Sequence, residues 1–227
     1  MDYAEFEPVY ARILRDFGFD RAGDERVRDV LASLTTPFDE SRLSLLAGAR
    51  VAVCGAGPSL AHDLETLDSD AVDCVVAASS AAAVCRDHGL TVDVYVTDLD
   101  ADPELAADLS AAGTPTVVHA HGDNEQSVRK LVPDLAAEHV LPTTQAAPVA
   151  HVRNYGGFTD GDRAAFLADH FGADSLCFPG WDFDDSAVDP MKQRKLVWAE
   201  RLLFWLEQRR SERFSILDGR RDGLELP

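Results

Sequence analysis

The chain of 227 residues is short of lysine, of paired cysteines and of long apolar runs, and each shortage excludes something. No apolar stretch approaches the ~20 residues needed to cross a bilayer, so a membrane span is not expected. The opening Met1-Asp2-Tyr3-Ala4-Glu5 is acidic and lacks the basic start of an export signal, which predicts a cytoplasmic protein. Cys54, Cys74, Cys85 and Cys177 form no C-x-x-C pair, so a zinc site is not expected, and buried thiols suit them better. Lysine occurs only as Lys130, Lys192 and Lys195, and the formal charge is −19. That balance argues against nucleic acid and anionic membranes as partners, because both need basic patches. The acidic residues are scattered rather than gathered in a tail. Such a surface suits a protein kept hydrated in high salt, where screening removes self-repulsion, and a halophilic source is expected.

What is present is a change of period near residue 50. Before it, Tyr3, Phe6, Tyr10, Ile13, Leu14 and Phe17 recur at helical spacing, and Val27, Val30, Leu31 and Leu34 do so again. A short third helix is predicted over 39–47. Residues 1–48 therefore read as a helical annex and 49–227 as the main domain. From Arg50 on, short apolar runs alternate with helical segments. Strands are predicted at 51–54, 74–78, 92–96 and 115–119. Weaker signals suggest strands at 146–153, 175–178 and 214–217 and a helix at 160–171, and 192–209 reads as a clear amphipathic helix. This alternation predicts an α/β fold, Rossmann-like, with a mostly parallel sheet and flanking helices.

In such sheets ligands bind beyond the carboxyl ends of the strands, and the chemistry of this chain is concentrated there. Gly55-Ala56-Gly57-Pro58-Ser59-Leu60 follows the first strand. Gly55, Gly57 and Ser59 are candidates for phosphate or nucleotide contact through free N–H groups, although the same turn suits a ligand-free connection. It is neither a dinucleotide fingerprint nor a P-loop, because Leu60 stands at the third glycine position and no Lys-Ser/Thr follows. Asp98 and Asp100 end the third strand, and their alternation would point both carboxylates the same way. Hard oxygen donors suit Mg²⁺; Asp102 alone would serve as the cap of the next helix. Asp123 in His119-Ala120-His121-Gly122-Asp123-Asn124 is the expected third ligand, although a ribose or base contact or a helix cap would also suit it, and His121 and Asn124 are candidate substrate contacts. In the patch 154–163, Tyr155 and Phe158 offer faces for a flat heterocycle, and Asn154, Asp160 and Asp162 offer polar contacts. Thr159 and Asp162 also fit a helix cap. Lys192 and Lys195 open the last helix, where cations oppose the macrodipole unless an anion is bound there.

Taken in order, Gly55 to Leu60, Thr97-Asp98-Leu99-Asp100, His119 to Asn124, Phe158 to Arg163, and the Lys-x-x-Lys-Leu beginning at Lys192 resemble the archaeal 6-hydroxymethyl-7,8-dihydropterin pyrophosphokinases. Ala101 departs from the glycine expected after the acidic pair. The resemblance implies ATP and a reduced pterin as ligands and Mg²⁺ as cofactor. It also implies transfer of a pyrophosphoryl group to the pterin with release of AMP, on Asp98, Asp100 and Asp123. It extends distantly to thiamine pyrophosphokinases. A sugar transferase or a non-catalytic nucleotide sensor on the same scaffold are the other readings, and a homo-oligomer is compatible with all of them.

Overall fold

The computed structural model describes residues 1–227, the side chain of Ser69 excepted. Six strands form one sheet: β1 (Arg50–Cys54), β2 (Cys74–Ala78), β3 (Val94–Thr97), β4 (Thr116–Ala120), β5 (Val140–Thr144) and β6 (Ser175–Cys177). Every pairing is parallel and the order is β5-β4-β3-β2-β1-β6. The strands are short and apolar because both faces of the sheet are covered. Val51, Val53, Val76, Val94, Val96, Val117 and Leu141 point into one core. Ala52, Cys54, Val75, Ala77, Tyr95, Val118 and Val140 point into the other.

Handedness distributes the helices. The chain steps from β1 to β5 in one direction, so the right-handed crossovers α3 (Leu60–Thr66), α4 (Ala81–Asp87), α5 (Pro103–Ala111) and α6 (Glu125–Leu131) lie on one face. The return from β5 to β6 runs the other way, which puts α7 (Asp160–His170) on the opposite face. There α8 (Pro190–Arg210) and α1 (Tyr3–Phe17) join it. The strand order therefore reverses between β1 and β6, which opens a crevice at their carboxyl ends.

The two N-terminal helices are built into opposite cores. Helix α1, capped by Asp2 and closed by Gly18 in the left-handed region, buries Phe6, Val9, Tyr10, Ile13 and Leu14 beside α7 and α8. At about 2 kcal/mol per fully buried apolar side chain, that stripe contributes roughly 10 kcal/mol of gross hydrophobic stabilisation. Helix α2 (Arg21–Leu34), capped by Asp20, buries Val27, Val30 and Leu31 against the other face.

Three local expectations are corrected and one strand is added. The expected third helix is a 3-10 helix, Glu40–Leu46. Residues 146–153 form a loop with two isolated bridges, not a strand. The fifth strand is Val140–Thr144, where Pro142 obscures the pattern and is tolerated at the edge of the sheet. Residues 214–217 hold a 3-10 turn, Ser215–Leu217, and leave β6 as the edge.

Candidate active site

A cleft of about 500 Å³ lies over the carboxyl ends of the strands. Its floor carries three carboxylates. Asp98, Asp100 and Asp160 each place an oxygen within 4.8 Å of the others. Asp98 and Asp100 converge through a turn rather than an extended run. Leu99 has φ 67° and is buried, and its N–H donates to Thr97 Oγ1 at 2.9 Å. The left-handed residue is thus Leu99 and not Ala101, at about 1–2 kcal/mol of strain. Asp102 caps α5 through Leu105 N–H at 3.0 Å, which leaves the acidic pair free of that duty. Asp160 arrives from the first turn of α7, across the sheet.

The electrostatics are those of crowded carboxylates. Burial pushes Asp100 up to about 6, helped by the hydrogen bond to Asp98 and by its charge. Burial likewise raises Asp160 to about 7, with the Asp98 charge adding and Arg163 opposing. Burial also pushes Asp98 upward, but hydrogen bonds from His121 and Asp100 and the Arg163 charge outweigh it and hold Asp98 below the usual range. Asp98 is therefore the fixed anion, and the other two hold their protons to higher pH than an ordinary carboxylate does. Hard oxygens with this much mutual repulsion fit Mg²⁺. His121 Nδ1 accepts from Asp123 N–H at 3.4 Å, so its Nε2 carries the proton donated to Asp98 Oδ2 at 3.2 Å.

Asp123, the expected third ligand, lines the same cleft but lies outside the carboxylate trio; Asp160 stands in its place. Asn124 is a scaffold residue. It donates to Asp98 O at 2.9 Å and His119 O at 2.7 Å and accepts from His121 N–H, which staples the tips of β3 and β4. Asn154 is tied to Ala146 O and to Gly156 N–H and does not reach the cleft. Tyr155 packs in the core against His170 and Phe171, so its ring has no face for a ligand. Asp162 is fully buried as the acid of the α7 capping box. Phe158 and Asp160 do line the cleft.

The glycine tip serves a different contact from the one expected. Gly55 N–H donates to Pro179 O at 2.9 Å and Gly57 N–H to Gly180 O at 2.8 Å. Ser59 N–H donates to Asp182 Oδ2 at 2.9 Å, and its hydroxyl to Asp63. These three N–H groups are thus occupied by the loop after β6 and are not free for phosphate. Gly55 and Gly57 still line the cleft, and Ser59 does not. A Cβ at either glycine would meet Gly180 O at 2.6 Å, so close backbone approach is what requires them. Lys192 and Lys195 line the cleft from the first turns of α8. The Lys192 charge reaches Asp100, and Lys195 stands 5.9 Å from the Phe158 ring centroid. The residues missed from the sequence are Phe19, Asp20, Asp24, Ser79, Ser80, Gln145, Trp181 and Arg163. Arg163 belongs to the 158–163 motif on α7 but has no role assigned from it, and the others lie between α1 and α2, in the first turn of α2, or just after β2, β5 and β6, where no local motif marks them.

No helix among the described residues is long and apolar enough to cross a membrane. A family model described as 6-hydroxymethylpterin diphosphokinase MptE-like matches residues 29–187. The 6-hydroxymethyl-7,8-dihydropterin pyrophosphokinase of Methanothermobacter thermautotrophicus is 36% identical over 216 residues, covering 88% of this chain and 92% of that protein. That of Methanocaldococcus jannaschii is 32% identical over 235 residues, covering 92% and 97%. That of Pyrococcus furiosus is 36% identical over 225 residues, covering 91% and 95%.

Proposed function

Because the chain belongs to the 6-hydroxymethylpterin diphosphokinase MptE-like family, we propose that it is a 6-hydroxymethyl-7,8-dihydropterin pyrophosphokinase. It moves the β,γ-pyrophosphoryl group of ATP to the pterin hydroxymethyl oxygen, in tetrahydrofolate or methanopterin synthesis in the cytoplasm. The new bond joins that oxygen to the β-phosphorus. The bond from the β-phosphorus to the α,β-bridging oxygen breaks, AMP leaves with that oxygen, and the hydroxyl proton goes to solvent.

The observation that carries this reading is the trio Asp98, Asp100 and Asp160, facing two lysines across one cleft. In-line phosphoryl transfer asks for positioning and charge neutralisation more than for a strong base. Asp98, Asp100 and Asp160 would hold Mg²⁺, which when bound neutralises phosphate charge at the transferring group. His121 orients Asp98 through its Nε2–H. Lys192 and Lys195 hold the phosphates from the α8 side, and neither is tied up in an ion pair among the described residues. Gly55, Gly57, Ser79 and Ser80 leave room for the nucleotide beside the β1/β6 crevice. Asp123 stays at the cleft wall, outside the trio.

The test is turnover with ATP, Mg²⁺ and 6-hydroxymethyl-7,8-dihydropterin in molar KCl. AMP and the pterin diphosphate should form in equal amounts, and Asp98→Asn should abolish both. ADP with pterin monophosphate, or no turnover in the parent chain, would overturn the reading.

A further inference from the structure

The cleft has two unlike halves on either side of the carboxylate trio. One half, over β1, β2 and β6, is lined by Gly55, Gly57, Ser79, Ser80 and Gly180. The other is lined by the first turn of α2 and its approach: Phe19, Asp20, Gly23 and Asp24. Facing them are Gln145 and Phe158. This second wall precedes the segment 29–187 that the family model matches.

That wall is held in place by specific contacts. Asp24 Oδ2 accepts from Tyr10 Oη–H at 2.6 Å and from Gln145 Nε2 at 2.9 Å, and its Oδ1 accepts from Gly122 N–H at 2.7 Å. Gly23 lies against Gly122, where a Cβ would meet the Gly122 Cα at 3.4 Å. The chain of bonds continues from Gln145 Oε1 to Arg163 at 3.3 Å, and from Arg163 to Asp160 at 3.0 Å. The first turn of α2 is therefore in register with the carboxylate trio before any ligand arrives.

Its chemistry rejects phosphate and suits a different ligand. Asp20, Asp24 and Asp123 bring three carboxylates, Arg26 is committed to Glu125 at 3.0 Å and Arg163 to Asp160 at 3.0 Å, and Lys195, over the Phe158 ring, borders this half from the α8 side. A triphosphate would be repelled. An uncharged planar heterocycle with adjacent amino and ring N–H donors would be attracted. Phe19, stacked on Phe17 at 5.2 Å and tilted to Phe158 at 6.5 Å, offers an aromatic wall beside the acids. Resting on the function proposed above, we infer that the first turn of α2 is the acceptor subsite. Asp20, exposed at the N-cap, accepts an N–H donor of the pterin, Phe19 packs on its face, and Asp24, buried and bonded to Tyr10, Gln145 and Gly122, holds the wall in place.

The discriminating variant is Asp20→Asn, because asparagine keeps the N-cap of α2 while removing the charge. Phe19→Leu is the second, preserving apolar volume without the ring. Quenching of pterin fluorescence measures binding of 6-hydroxymethylpterin, and calorimetry measures binding of a non-hydrolysable ATP analogue with Mg²⁺. Asp20→Asn should weaken pterin binding roughly 10- to 100-fold, the range for a lost hydrogen bond to a charged group, and Phe19→Leu roughly 10-fold. Both should raise the KM for pterin and leave the ATP-analogue affinity and Mg²⁺ dependence within about 2-fold. If both variants bind pterin like the parent, or lose the ATP analogue instead, the subsite is wrong although the activity stands. If the parent chain binds no pterin, the proposed function itself fails.

Discussion

Replacing Asp160 with asparagine should stabilise the metal-free protein and remove its response to Mg²⁺. The three carboxylate oxygens lie within 4.8 Å of one another. At an effective dielectric of ~20, two such charges repel by about 3.5 kcal/mol, so a third ionised carboxylate meets roughly 7 kcal/mol. Arg163, 3.0 Å from Asp160, returns about 5.5 kcal/mol on the same scale. The balance disfavours the ionised form by on the order of 2 kcal/mol, and burial acts in the same direction. The folded protein therefore raises the Asp160 carboxyl to about 7, above its unfolded value. For a raised acid the penalty is complete above the folded value and is relieved as pH falls through it toward the unfolded value. Asp160→Asn should then raise Tm in EDTA at pH 8 by about 4–8 °C, at 2–4 °C per kcal/mol for a chain of this size. The gain should shrink at pH 5. In Mg²⁺ at about 100 times its Kd the parent should gain about 2.7 kcal/mol and the variant almost none. Differential scanning fluorimetry with EDTA or Mg²⁺ at pH 8 and pH 5 reads all four conditions. A variant less stable in EDTA and equally stabilised by Mg²⁺ would refute the reasoning.

The parent should bind Mg²⁺ more tightly as pH rises from 5 to 8, because Asp100 at about 6 and Asp160 at about 7 must lose protons first; calorimetry in two buffers of different ionisation enthalpy should detect protons released on binding. Gly57→Ala should destabilise the fold by about 1–3 kcal/mol, since its Cβ would meet Gly180 O at 2.6 Å, and urea melts should show it. The charge of −19 should make Tm rise from low KCl toward molar KCl as screening relieves repulsion; a flat or falling curve would remove the halophilic reading.

The architecture was legible where periodicity was strong. The strand–helix alternation from residue 50 gave the parallel sheet, and the helical stripes gave α1, α2 and α8. Strand β5 was hidden because Pro142, Thr143 and Thr144 do not look like a buried strand, and the edge position is what tolerates the proline. At the site, local motifs identified Asp98, Asp100 and Asp160 as chemically distinctive, but sequence order suggested Asp123 as the third ligand because it follows the next strand. Asp160 reaches the trio from α7 only because the return crossover lies on the other face. The glycine tip read as a phosphate cradle, since nothing local revealed that Pro179, Gly180 and Asp182 would take its N–H groups. Tyr155, Asn154 and Asp162 looked like ligand contacts for the same reason: their partners lie elsewhere in the chain or in the α7 cap. The α2 wall carried no motif, and its place in the cleft depends on Asp24 bonding to residues about 100 positions away, as with the 98-residue separation from Gly122.

The location of the metal is the most direct test of the account. Crystals grown with Mn²⁺ and a non-hydrolysable ATP analogue should show an anomalous difference peak touching carboxylate oxygens of Asp98, Asp100 and Asp160, with the analogue's phosphates reaching it from the Lys192 and Lys195 side. A peak held by Asp123 without Asp160, or no peak at the trio, would contradict it.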